Sequence, residues 1–192
     1  MDKRIIYFAL LWAIYLFLCG DRCLAQDWQH APKPEDYSVK EVYKGKIASV
    51  ILDTKKARMF RTVLRQGAKE GPNFAGQYIM VAWGCGLGSF ELAVIDAKTG
   101  RVYFPPFGCI TLAGGIDLPI YGGDMPNPGF RLDSKLFIIV GIEDKADAKP
   151  SDRATKFYVF DKGKFKLVYS IPAPLQAEED SDQLKGNENK TE

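Results

Sequence analysis

The stretch Phe90-Glu91-Leu92-Ala93-Val94-Ile95, then Asp96-Ala97-Lys98-Thr99-Gly100, then Arg101-Val102-Tyr103-Phe104 decides the fold. Two runs rich in apolar and β-branched residues flank a polar loop, with glycine where a hairpin calls for a left-handed residue. The same pattern returns in Lys156 to Phe160, Asp161-Lys162-Gly163 and Lys164 to Ile171, and strand-like runs also cover Gln77 to Trp83 and Lys135 to Ile142. Strands joined by short turns build an antiparallel sheet, and nothing in the order suggests parallel βαβ units. The expected fold is mainly β with one amphipathic helix toward the amino end: an antiparallel curled sheet, a small barrel or a sandwich.

That helix follows Asp53. Ala57, Phe60, Val63 and Leu64 recur at helical spacing, Asp53 or Thr54 serves as amino cap, and Gly67 stands just past the carboxyl end. Val39 to Leu52 mixes β-branched residues with Gly45 and reads as a further strand region.

The amino end has a different purpose. Lys3 and Arg4 precede an unbroken apolar run from Ile5 to Cys19, followed by Gly20, Asp21, Arg22, Cys23, Leu24 and Ala25. This is the order of a cleavable signal peptide. The run is shorter than the roughly twenty apolar residues a membrane span needs, and the alternative is an uncleaved anchor. The expected organisation is a signal peptide over 1–25, an extended leader over 26–36, one β-rich domain over 37–175 and an acidic disordered tail over 176–192. The expected location is periplasmic or secreted, with no stable membrane span after cleavage.

Charge excludes some partners. The signal holds three of the 26 basic and two of the 24 acidic residues, leaving 23 against 22, so no global field draws nucleic acid. Cysteine usage changes with cleavage too. Cys19 and Cys23 leave with the signal, and in an oxidising compartment Cys85 and Cys109 are most simply a disulfide. The alternatives are two buried thiols or a reactive Cys85.

Catalytic motifs are scarce. The sole histidine is His30, in the proline-flanked leader, so no histidine-based triad, dyad or zinc site can be assembled by pattern. No catalytic residue, cofactor or metal is assigned. Trp83-Gly84-Cys85-Gly86-Leu87-Gly88-Ser89 follows a strand directly and reads either as a tight connection or as a glycine-rich binding loop. From Pro105 to Pro128 runs a connection rich in glycine and proline that also holds Phe107, Tyr121, Asp117 and Asp124. Connections of that length are usually functional or disordered. The candidate binding loop thus comprises Trp83, Gly84, Gly86, Gly88, Tyr121 and Asp124. Weaker candidates are the Arg58, Arg61 and Arg65 stripe, calcium ligation by Asp117 and Asp124, and an acid/base pair of Glu91 and Asp96.

Gly71-Pro72-Asn73-Phe74-Ala75-Gly76 and Trp83-Gly84-Cys85-Gly86, with Phe60-Arg61-Thr62 and the Val94 to Tyr103 hairpin, resemble a widespread group of uncharacterised exported bacterial proteins. The resemblance implies export and a bacterial source and brings no activity with it. This chain departs from the group where a second cysteine would follow the first. Gly88-Ser89-Phe90 stands there, so the resemblance implies a different partner for Cys85 than in the group and makes the bridge to Cys109 less secure. The functional expectation is a non-enzymatic binding or inhibitor-like module facing an envelope protein or glycan. The alternative is a cell-envelope hydrolase or thiol enzyme using Cys85.

Overall fold

The computed structural model describes residues 29–86, 88–112, 128–143, 148–149 and 152–172. The segments expected to be signal peptide and acidic tail, and Asp117, Tyr121 and Asp124, lie outside them. Eight strands form one antiparallel sheet: β1 (Tyr78–Gly86), β2 (Ser89–Asp96), β3 (Val102–Tyr103), β4 (Ile110–Leu112), β5 (Gly129–Phe130), β6 (Leu136–Glu143), β7 (Ala154–Asp161) and β8 (Lys164–Pro172). The main path runs β1-β2-β4-β6-β7-β8, with β3 beside β2 and β5 beside β6, and the sheet does not close into a barrel.

The way β4 is paired explains the curl. One edge of β2 takes β3 at Val94 and Ile95, then β4 at Ser89 and Phe90. The facing edge of β6 takes β4 at Gly141 to Glu143 and β5 at Phe137 and Ile138. The halves are therefore joined through β4 at one end and carry separate partners at the other. Between them lies an aromatic core. Along β1 and β2, Met80, Leu92 and Val94 point inward to meet Phe137, Ile139, Tyr158 and Phe160 of β6 and β7. Alternation sends the intervening residues outward. Ile79, Val81, Ala93 and Ile95 pack beneath the helices, while Leu136, Ile138, Val140 and Phe157 meet Ala31 and Tyr37. Removing side chains of this size from water contributes about 1.5–3 kcal/mol each.

The hairpins agree with the sequence reading. Gly100 has φ +78°, its N–H donates to Asp96 O, and a Cβ there would collide with the Ser49 carbonyl. Lys162 and Gly163 both have positive φ, +47° and +80°, as a two-residue hairpin loop with the right twist needs.

Four expectations are corrected. The helix is broken in two, α1 (Lys55–Met59) and α2 (Arg61–Gly67), because Phe60 adopts φ −97°, ψ 19°. Thr54 Oγ1 does cap α1, accepting from Ala57 N at 3.0 Å. Gly67 lies inside α2 at φ −60°, where a Cβ would press into Val81, and the chain continues as a 3-10 turn to Glu70. The left-handed residue is Gly71 at φ +87°. Val39 to Leu52 forms no strand. It lies over the domain through isolated backbone bonds, Tyr43 N to Gly76 O, Ala48 N to Ala97 O and Ile51 N to Gly100 O. Last, the described part of the leader is packed down: a 3-10 turn spans Pro34–Tyr37, Ala31 is buried, and Ser134 Oγ donates to Pro34 O at 2.7 Å. β4 and β5, within and just after the glycine-rich connection, had no strand signal of their own.

The Asn73 to Gly76 segment finishes the edge of β1. Asn73 Oδ1 accepts from Met80 N at 2.7 Å and its Nδ2 donates to Met80 O at 3.2 Å, so a carboxamide stands in for a neighbouring strand. Phe74 is fully buried in the aromatic core, and Ala75 and Gly76 turn the chain at positive φ.

Candidate functional site

The glycine-rich segment proves to be mostly strand. β1 continues through Gly86, which pairs with Ser89 of β2 after an irregular step between Gly84 and Gly86. Gly88 is left-handed at φ +65°. Gly84, Cys85 and Gly86 are exposed with open space around the glycines, whereas Trp83 is half-buried and packs on Phe60 with ring centroids 4.4 Å apart. The sulfurs of Cys85 and Cys109 lie at disulfide distance, their Cα atoms 6.3 Å apart, inside the usual range for a bridge. Beside them Ser89 Oγ and Thr111 Oγ1 share a hydrogen bond of 2.9 Å across β2 and β4. This end of the sheet is built to hold β4 in place.

The other sequence candidates do not converge. Glu91 and Asp96 are an odd number of residues apart on one strand and so face opposite sides. Glu91 is ion-paired with Lys56 under the helices, and Lys56 also sits 4.7 Å over the Phe104 ring. Asp96 Oδ1 accepts from Gln77 Nε2 and from Lys98 N, holding the hairpin loop. Arg58 donates to the Leu52 and Asp53 carbonyls, and Arg61 to the Arg58 carbonyl. Among the described residues, no three His, Cys, Asp or Glu side chains come together as a metal site.

What the fold does assemble is a cleft of about 600 Å³ at the splayed end of the sheet, opposite the cysteines. One wall is the segment from Ser38 to Lys44; the other is the turn after β7, with Lys135 and Lys98 alongside. Its floor is Tyr78, which meets buried Phe160 edge to face at 4.8 Å. Lys40, Lys44, Lys98, Lys135 and Lys162 face it against only Glu41 and Asp161. Lys135 Nζ is bonded to Asp161 at 2.7 Å and holds that carboxyl below the ordinary range, while Lys98 lies 5.6 Å from the Tyr43 ring centroid. Among the described residues, Lys40, Lys44, Lys98 and Lys162 form no ion pair. Burial, and then the nearby Asp96 carboxylate, raises the Tyr78 phenol above its usual value.

A second polar group is internal. Glu143 Oε1 accepts from Tyr158 OH at 2.5 Å and from Lys156 Nζ at 2.9 Å, with both charged side chains largely buried. Burial first, and the Glu143 carboxylate second, push the Tyr158 phenol far above its ordinary value. The Phe107 ring, 5.3 Å from that of Tyr158, covers one side. The pair links β6 to β7 through buried polar groups.

Sequence reasoning missed the cleft because its lysines come from four separated segments and each reads alone as a solvated surface charge. The shared signal was position: Lys98, Lys135 and Lys162 each adjoin a turn or the start of a strand at the same end of the sheet. The chain matches no family model, no curated protein and no solved structure.

Proposed function

We propose that the protein is a non-enzymatic binding module, exported as its amino-terminal sequence suggests, whose lysine-rimmed cleft takes an anionic stretch of an envelope glycan. The observation that carries this is the cleft itself: five lysines against two acids around a tyrosine floor. Its size falls within the range of ordinary ligand sites. Lysines recognise carboxylate or phosphate as point charges, and neutral Tyr78 and Gln77 supply hydroxyl-directed hydrogen bonds. A Cys85 sulfur at disulfide distance from Cys109 favours this reading over the alternative of a thiol enzyme using Cys85.

Isothermal titration with a uronic-acid oligosaccharide and its neutral counterpart tests the reading. The acidic oligomer is expected to bind with an affinity that falls as salt rises, and the neutral one to bind at least tenfold more weakly. Lys40→Glu with Lys44→Glu should abolish the acidic signal while leaving the melting temperature unchanged. Equal binding of both oligomers, or none of either, refutes it.

A further inference from the structure

The helical layer carries a charge pattern that the cleft does not use. From Lys55 to Lys69 the chain holds six cations, Lys55, Lys56, Arg58, Arg61, Arg65 and Lys69, and no acid, in a protein whose formal net charge is only +2. Lys56 is turned inward to Glu91, and Arg58 is occupied by carbonyls of the preceding turn. Lys55, Arg61, Arg65 and Lys69 are exposed and, among the described residues, none of them forms an ion pair. At 3.6 residues per turn, Arg61, Arg65 and Lys69 follow one another along a single flank of α2 and the turn after it.

Beside that flank lies an apolar cleft. Ile47, Ala48 and Val50 form one side and Ala68 the other, with Arg65 and Lys69 at the rim, enclosing about 460 Å³. Ile51, continuing the same wall, is 41% exposed, and Met59 at the end of α1 is 65% exposed. Exposed apolar side chains next to unpaired cations match a partner that is anionic at its surface and hydrocarbon just beneath. Nucleic acid offers the first without the second.

We infer that this face docks the protein on an anionic lipid bilayer, with Arg61, Arg65 and Lys69 against the headgroups and the Ile47 to Ile51 wall meeting the upper acyl region. The attachment is peripheral: among the described residues no helix is long and apolar enough to cross a membrane. Each cation near an anionic surface strengthens binding by about fivefold, the equivalent of about 1 kcal/mol.

The test is co-sedimentation of the mature protein with vesicles of phosphatidylcholine, with and without one quarter phosphatidylglycerol. The anionic vesicles should bring the protein down, the neutral ones should not, and high salt should release it. Arg61→Gln, Arg65→Gln and Lys69→Gln together should weaken attachment about a hundredfold, with an unchanged melting temperature. The cleft variant Lys40→Glu with Lys44→Glu should attach as before. The inference is overturned if wild type ignores the anionic vesicles, if the triple variant still attaches fully, or if the cleft variant alone is lost. It is also overturned if duplex DNA at matched phosphate concentration displaces the protein as well as added anionic vesicles do.

Discussion

The two ends of β1 differ in almost every respect. At Gly86 the strand closes in a tight turn, glycines leave the surface bare, and Cys85 and Cys109 tie the hairpin to β4. At Tyr78 the sheet halves have separated, and a cleft rimmed by charged side chains opens above buried rings. Glycine richness marked the first end as interesting, yet glycine supplies conformational freedom and no recognising group. The second end carries the chemistry, supplied by residues as far apart as Lys40 and Lys162. On the proposed reading, stability belongs to the closed end and binding to the open one.

The strongest way to break that division is at Glu143, near the closed end. Glu143→Ala strands the Lys156 ammonium and the Tyr158 hydroxyl in the interior and should lower unfolding free energy by about 3–5 kcal/mol in urea titrations. Glu143→Leu combined with Lys156→Met should recover most of that loss. A fall below about 1 kcal/mol for the single variant would show the pair to be well solvated.

Next in size is the bridge. Cys85→Ser with Cys109→Ser releases a closed loop with a sequence separation of 24 and should cost about 3 kcal/mol in the chain-entropy account. Oligosaccharide affinity at the cleft should stay within about twofold of wild type wherever the variant remains folded, an energy difference of about 0.4 kcal/mol. A parallel loss of affinity would mean that the two ends are mechanically coupled.

Alkaline pH gives a smaller and graded effect. The folded Tyr158 phenol titrates above its unfolded value of about 10, so its contribution is complete below that pH and is lost as pH rises past it. Stability should fall by up to about 1.4 kcal/mol per pH unit above pH 10, with Tyr158→Phe shallower. Absorbance of phenolate should show one tyrosine ionising only as the protein unfolds. Smallest of all, Lys135→Ala at the open end removes an exposed ion pair with Asp161 and should shift stability by a few tenths of a kcal/mol. It should still weaken oligosaccharide binding measurably, which is the signature of a residue placed for ligand and not for fold.

The sheet was legible wherever local chemistry sufficed. Positive φ at Gly100 and Gly163 and the apolar, β-branched runs of β1 and β2 are written in consecutive residues. β4 and β5 were not legible, because three- and two-residue strands hold their place by pairing to distant partners. The helix was found with its Thr54 cap, but not its break at Phe60, whose ring packs on Trp83, a contact no periodicity reveals. Asn73 to Gly76 drew notice as a motif, and the structure gives it the duty of covering a strand edge. The cleft depends on where the two halves separate, which is a property of the pairing of β4.

That three-residue link also orders assembly in time. The β1–β2 and β7–β8 hairpins close over a few residues each and form on the microsecond scale from local contacts alone. Joining Phe90 to Ile110 and Ile110 to Glu143 requires two much larger loops to close first. The slow event in folding is then the insertion of β4 between two finished halves. Sequence changes in either hairpin, already formed when that step occurs, should alter how fast the protein folds, and changes in contacts that β4 makes after it how fast the protein unfolds.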